Sequence, residues 1–182
     1  WTRDDVAYTK MKLPKGDFHV VAPDGSVVAS QKTGKEEIIF EAHGVPALGY
    51  AVYRVMPGKE DAPALPIKAT TRTLENQYVK ITLDNCGRFR RIFDKQASRE
   101  VLADGKCGNV LQLFEDRPAQ HDAWDIDYNF EETLYEPGKA ECMEVIEQGP
   151  VRAVVRAVRR TEKSTFTQDV TLYASSPRIE VN

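Results

Sequence analysis

The side chains best suited to chemistry are concentrated in one stretch. Residues Glu115 to Glu132 (EDRPAQHDAWDIDYNFEE) crowd carboxylates around Arg117, His121 and three aromatic rings. Carboxylates beside an indole suit a sugar, because the oxygens accept hydroxyl hydrogens while the ring of Trp124 covers the C–H face of a pyranose. If Asp125 to Glu131 is extended, Asp125, Asp127, Asn129 and Glu131 share one face, and Ile126, Tyr128 and Phe130 share the other. That acidic face admits a hard cation held through oxygen, although Phe130 stands where an EF-hand loop needs glycine. It also admits a glycosidase acid and nucleophile pair, which for retention would stand about 5–5.5 Å apart. A solvated loop that bonds an interface is the commonest use of such a segment.

Other reactive types are scattered. His19 and His43 lie near turns without a ligand cluster and read as structural. Ser164, Ser175 and Ser176 lack a nucleophile elbow, and no glycine-rich phosphate loop occurs. Arg152, Arg156, Arg159 and Arg160 read as a solvated strand face.

The elements that must position the acidic stretch are strands, because most of the chain alternates with period two. Strands are expected over Val6–Met11, 18–21, 26–31, 36–42 and 48–56, with Ala22-Pro23-Asp24-Gly25 turning the chain between the second and third. These residues form a small Ig-like sandwich over 1–57. Residues 58–66 hold two prolines and little apolar content, the composition of a linker. A larger β domain then begins at 67. Its expected strands are 77–83 and 88–93, joined through Asp84-Asn85-Cys86-Gly87, and then 110–114, 140–147, 151–160 and 164–173. In 151–160 (VRAVVRAVRR) a helical stripe competes, but valine favours the strand. The acidic stretch falls between two strands and exceeds the roughly 12–15 residues of an ordinary connection, which marks it as functional.

The chain has 182 residues, a formal charge of −3, 41% hydrophobic and 29% charged residues. That is the balance of a globular domain or two small ones. The absence of a basic block argues against a nucleic-acid partner, and no apolar run reaches the 18 or so residues of a bilayer span. Three cysteines without a CxxC spacing favour a reducing compartment, here the cytoplasm. A chain that opens at Trp1 and closes within an alternating run is expected to be a fragment, and a cut edge at 178–182 invites pairing with a second copy.

The ordered segments LENQYVKITLD (74–84), GRFRRIFDKQASREVL (87–102), GNVLQLFEDRP (108–118), DAWDID (122–127), EQGPVRAVVRAVRR (147–160) and TFTQDVTLYASSPRIE (165–180) together resemble the C-terminal β region of the family 38 glycoside hydrolases, the α-mannosidases. VPALGYAVYRV (45–55) is similar to the end of their preceding small β domain. The resemblance implies an all-β fold, in which the domain over 67–182 is the first part of a mutarotase-like supersandwich. It also implies a parent enzyme with an upstream α/β barrel that binds zinc, supplies an Asp nucleophile and an acid/base, and cleaves terminal α-mannosides with retention through a covalent intermediate. No residue of this chain matches those roles, so the chain alone is expected to be inactive and to hold no zinc. Under this reading the 115–132 excursion meets the barrel. Trp124, Asp125 and Asp127 contact an α-mannoside or oligosaccharide, and Asp116, Arg117 and Asp122 brace the loop. The competing reading is a structural or carbohydrate-binding β-sandwich module whose loop seals an interdomain surface.

Overall fold

A computed structural model describes residues 1–63, 65–121 and 124–182. Six strands come first: β1 Arg3–Lys10, β2 Phe18–Val21, β3 Val27–Val28, β4 Ser30–Gly34, β5 Glu37–Val45 and β6 Arg54–Pro57. They form two three-stranded sheets, ordered β1-β5-β4 and β3-β2-β6. Between these lie Val20, Val28, Ile38, Phe40 and Ala42, all buried. The valine, isoleucine and phenylalanine side chains each contribute roughly 1.5–3 kcal/mol by leaving water. The alternating in/out pattern therefore has the energetic reason the sequence suggests.

The second group comprises β7 Lys68–Thr70, β8 Thr73–Glu75, β9 Val79–Leu83, β10 Phe89–Asp94, β11 Arg99–Glu100, β12 Cys142–Gln148, β13 Arg152–Arg160, β14 Thr165–Tyr173 and β15 Ile179–Val181. Two antiparallel sheets result, ordered β11-β10-β9-β8-β7 and β12-β13-β14-β15. Their shared core joins Leu74, Val79, Ile81, Leu83 and Phe89 to Ala153, Val155, Val170 and Leu172. A smaller cluster of Ala29, Ile39 and Val151, with Val6 against it, connects the first sheets to the second. The fold is all-β, and among the described residues no helix is long and apolar enough to cross a membrane.

Several local expectations need correction. The run 26–31 is broken at Ala29, where the chain leaves the ladder with β2 and joins β5. The strand expected over 48–56 begins only at Arg54. Ahead of it Gly49 N–H bonds Pro46 O at 3.3 Å and Leu48 sits at φ 53, a turn that aims Leu48, Tyr50 and Val52 into solvent. Residues 110–114 make only an isolated bridge, Leu113 to Tyr135. Residues 152–160 form a strand, paired without interruption from Arg152↔Tyr173 to Arg160↔Thr165. Nor do the four arginines share one solvated face, although Arg160 is exposed. Arg159 shares the inward parity of Ala153, Val155 and Ala157 and is 1% exposed, while Arg152 and Arg156 make double hydrogen bonds to Glu147 and Asp169.

Candidate functional site

The acidic excursion is tied at its base. Leu113 and Tyr135 exchange both backbone hydrogen bonds, at 2.8 and 2.7 Å. One step further out, Glu115 N–H donates to Thr133 Oγ1 at 3.1 Å, and the Thr133 hydroxyl donates to Phe130 O at 3.0 Å. The rings of Phe114 and Phe130 meet edge to face with centroids 5.0 Å apart, a geometry that adds about 0.5–1.5 kcal/mol beyond area burial. Just past the bridge, Glu136 accepts from Arg88 Nη1 at 3.0 Å, and Arg88 Nε donates to Asp84 at 2.8 Å. The loop's foot is thus fastened to the β9–β10 turn.

That turn is locally well determined. Asp84 Oδ1 accepts the N–H groups of Cys86 and Arg88, and Gly87 takes φ 74. Burial pushes the Asp84 carboxyl up, but the hydrogen bonds from the Arg88 side chain and from both backbone groups outweigh it. Its pKa lies below the ordinary value.

Above the base, the structure brings Asp116, Arg117 and Asp127 together around a cavity of about 180 Å³ with Glu115, Asn129 and Thr133. Glu115 and Arg117 form an ion pair at 2.6 Å. The cavity therefore offers more acceptors than donors, a lining that receives hydroxyl hydrogens. Trp124 and Asp125 are not in it. Trp124 is 92% exposed, its backbone N–H donating to His121 O at 2.8 Å. Asp125 is also exposed and accepts the Ile126 N–H. Asp122 lies outside the described residues.

The expected two-faced strand over 125–131 does not form. Phe130–Thr133 is a single 3-10 turn, so the parity argument ends at Asn129. Neither face is buried as a whole, since Asp125, Ile126, Tyr128 and Asn129 are exposed while Asp127 and Phe130 are half-buried. Sequence reasoning also passed over Thr133, whose signal was a lone hydroxyl residue closing an acidic run before the next strand. Among the described residues, no three His, Cys, Asp or Glu side chains are grouped to hold a metal ion.

Comparison with known proteins gives a consistent result. Residues 74–182 match the family described as glycosyl hydrolases family 38 C-terminal domain. Alpha-mannosidase 2C1 of Homo sapiens is 31% identical over 145 residues, covering 74% of this chain and 14% of that protein. Alpha-mannosidase G of Dictyostelium discoideum is 36% identical over 84 residues, or 46% of this chain and 8% of that protein. A crystal structure of an alpha-mannosidase from Enterococcus faecalis V583 aligns over 98% of this chain and 28% of its own, with TM-score 0.51 and 15% identity, a likeness of fold. The chain spans only about one seventh of the first of these curated relatives.

Proposed function

The chain belongs to the family 38 glycosyl hydrolases, carrying their C-terminal domain over residues 74–182, and on that premise we propose that it is the accessory β region of an α-mannosidase. The parent enzyme hydrolyses terminal α-mannosides with retention, and its nucleophile, acid/base and zinc reside in a catalytic barrel outside these residues. The chain by itself is inactive. Residues 1–57 and 67–182 act as two β domains joined by a linker at 58–66. Three free cysteines, Cys86, Cys107 and Cys142, support a reducing, cytoplasmic setting.

The 114–135 excursion is the part that meets the barrel. The observation that carries this reading is a stapled base beneath an exposed tip. Two backbone bonds and an aromatic pair hold the foot, while Trp124, Ile126 and Tyr128 stand in solvent. Large apolar side chains displayed on a positioned loop mark a contact surface. In the assembled enzyme Trp124 covers the C–H face of the mannoside, and Asp125 and Asp127 accept its hydroxyls. Asp116 and Arg117 hold the loop's form.

The test is kinetic. In the complete enzyme, Trp124→Ala and Asp125→Asn lower kcat/KM more than about tenfold, ~1.4 kcal/mol of transition-state stabilisation, with unfolding midpoints unmoved. Unchanged kinetics in both variants would leave the module reading, in which the loop only seals an interdomain surface.

A further inference from the structure

β1 closes one side of its sheet and pairs with β5 alone among the described strands. It has 8 residues and is the longest of the edge strands. β12, the next in length, carries a register shift between Val145 and Glu147, and β15 has only 3 residues. A long, regular edge presents a row of free N–H and C=O groups, a template for another strand.

Hydrogen-bond parity decides which groups are free. Met11 N–H donates to Glu36 O at 2.8 Å, and the ladder keeps that register from Asp5↔Ala42 to Lys10↔Glu37. In an antiparallel pair, bonded and unbonded residues alternate, so Asp5, Ala7 and Thr9 bond β5. Asp4, Val6, Tyr8 and Lys10 therefore turn their backbone groups outward. The Val6 N–H agrees, since its acceptor is the exposed carboxylate of its own neighbour Asp5, at 2.8 Å. A donor satisfied only by an exposed side chain can exchange it for a strand.

This edge is complementary to itself. Around a twofold axis through Ala7, an antiparallel second copy sets Val6 opposite the partner's Tyr8 and Asp4 opposite the partner's Lys10. Outward groups then meet outward groups, and no like charges stand directly opposite. Moving the partner by one residue sets outward groups against inward ones. Moving it by two separates Asp4 from Lys10. Both charges have capacity for such a pair, with 70% and 68% of their side chains exposed. Asp4 Oδ1 holds the Gly44 N–H at 2.7 Å, but Oδ2 comes no nearer than 3.9 Å to His43 Nδ1, and Lys10 approaches Glu37 only to 3.6 Å. Val6 and Asp4 also line a cleft of about 420 Å³ whose other wall holds Tyr78 and Arg178. Opposite residues share a sheet face, so the partner's Tyr8 enters that cleft beside Val6. In the single chain Tyr8 is 61% exposed.

We propose that two copies of this chain associate through β1, antiparallel about Ala7, into one continuous sheet. The test is sedimentation equilibrium of the 182-residue chain. A reversible dimer is expected in the micromolar range, with amide exchange at Val6, Tyr8 and Lys10 slowing as concentration rises. Tyr8→Pro removes an outward N–H while sparing the ladder to β5, and should abolish the dimer. Lys10→Glu sets like charges opposite and should weaken it more than about tenfold, and adding Asp4→Lys should restore it. The charge variants decide the matter if Tyr8→Pro misfolds. The proposal is overturned if the chain stays monomeric at millimolar concentration, or if folded variants dimerise as tightly as the parent, which would put the contact at another edge. It is also overturned if those amides are equally protected at every dilution, which would mean that the same chain covers β1. None of these outcomes depends on the 114–135 excursion.

Discussion

Asn76 donates through Nδ2 to the carbonyl of Tyr173 at 2.7 Å, across 97 residues of sequence. The same amide donates to Ser176 O at 2.7 Å, and its Oδ1 accepts the N–H groups of Tyr78 and Val79, each at 2.8 Å. One buried side chain thus makes four bonds and joins the start of β9 to the end of β14. Asn76→Ala strands these backbone groups, at about 1–3 kcal/mol for each that stays buried and unbonded. The expected loss is at least about 2 kcal/mol, read from the urea midpoint. A loss under half that would show that water enters and replaces the amide.

Gly87 and Gly25 form a matched pair. Both have positive φ, 74° and 88°, so alanine at either should cost about 1–2 kcal/mol in backbone conformation. Only at Gly87 would the new Cβ collide, 2.8 Å from the Cβ of Ala157, whereas Gly25 faces open space. Gly87→Ala should therefore exceed Gly25→Ala by about 1–3 kcal/mol of overpacking. Equal losses in thermal unfolding would mean that the turn shifts freely away from β13.

Asp84 supplies an acid-sensitive contribution. Its folded pKa lies below the ordinary value of about 3.9. The charged form is thus favoured in the folded state, and its contribution is complete above the unfolded pKa. Stability is lost as pH falls from about 4 through the lower folded value. Asp84→Asn removes that portion of the slope. Stability curves of parent and variant should converge toward acid, and parallel curves between pH 5 and 2 would refute the assignment.

Arg159 is a buried cation with Nε and Nη2 unbonded, and burial pushes its pKa down. Breaking a matched buried pair costs several kcal/mol, but an unmatched charge exchanged for an apolar chain of similar length costs little or stabilises. Arg159→Met is expected to leave the protein unchanged or to stabilise it by about 1–2 kcal/mol. A marked loss would reveal a partner, such as an ordered water bridging to the equally unbonded Gln168 Oε1.

The legible parts of the fold were those where local chemistry and long-range packing agree. Phe18–Val21 is bounded by turn residues and forms as read. The β9–β10 hairpin likewise follows from alternation and from Gly87. The reading failed where a tertiary choice overrode a good pattern. Tyr50 to Val55 alternates well, yet the Pro46–Gly49 turn leaves its first half without a partner strand. For Arg159 the charge misled, because composition cannot reveal which strand face meets the opposing sheet. In the candidate site the residue types were visible, but their sidedness was not. A 3-10 turn ends the period-two argument, so Asp127 turns toward the cavity lined by Asp116 and Arg117 while Asp125 turns away.

Gln31 sits where the first sheets touch β13. Its Oε1 accepts the N–H groups of Val151 and Arg152 at 3.2 and 3.0 Å, and its Nε2 donates to Glu147 at 3.3 Å. A side-chain amide is imitating the peptide of a neighbouring strand, and it engages the point at which β13 begins. A swivel at that junction must first surrender a ladder rung. Rotation of either body against the other is therefore opposed by three hydrogen bonds from a single side chain.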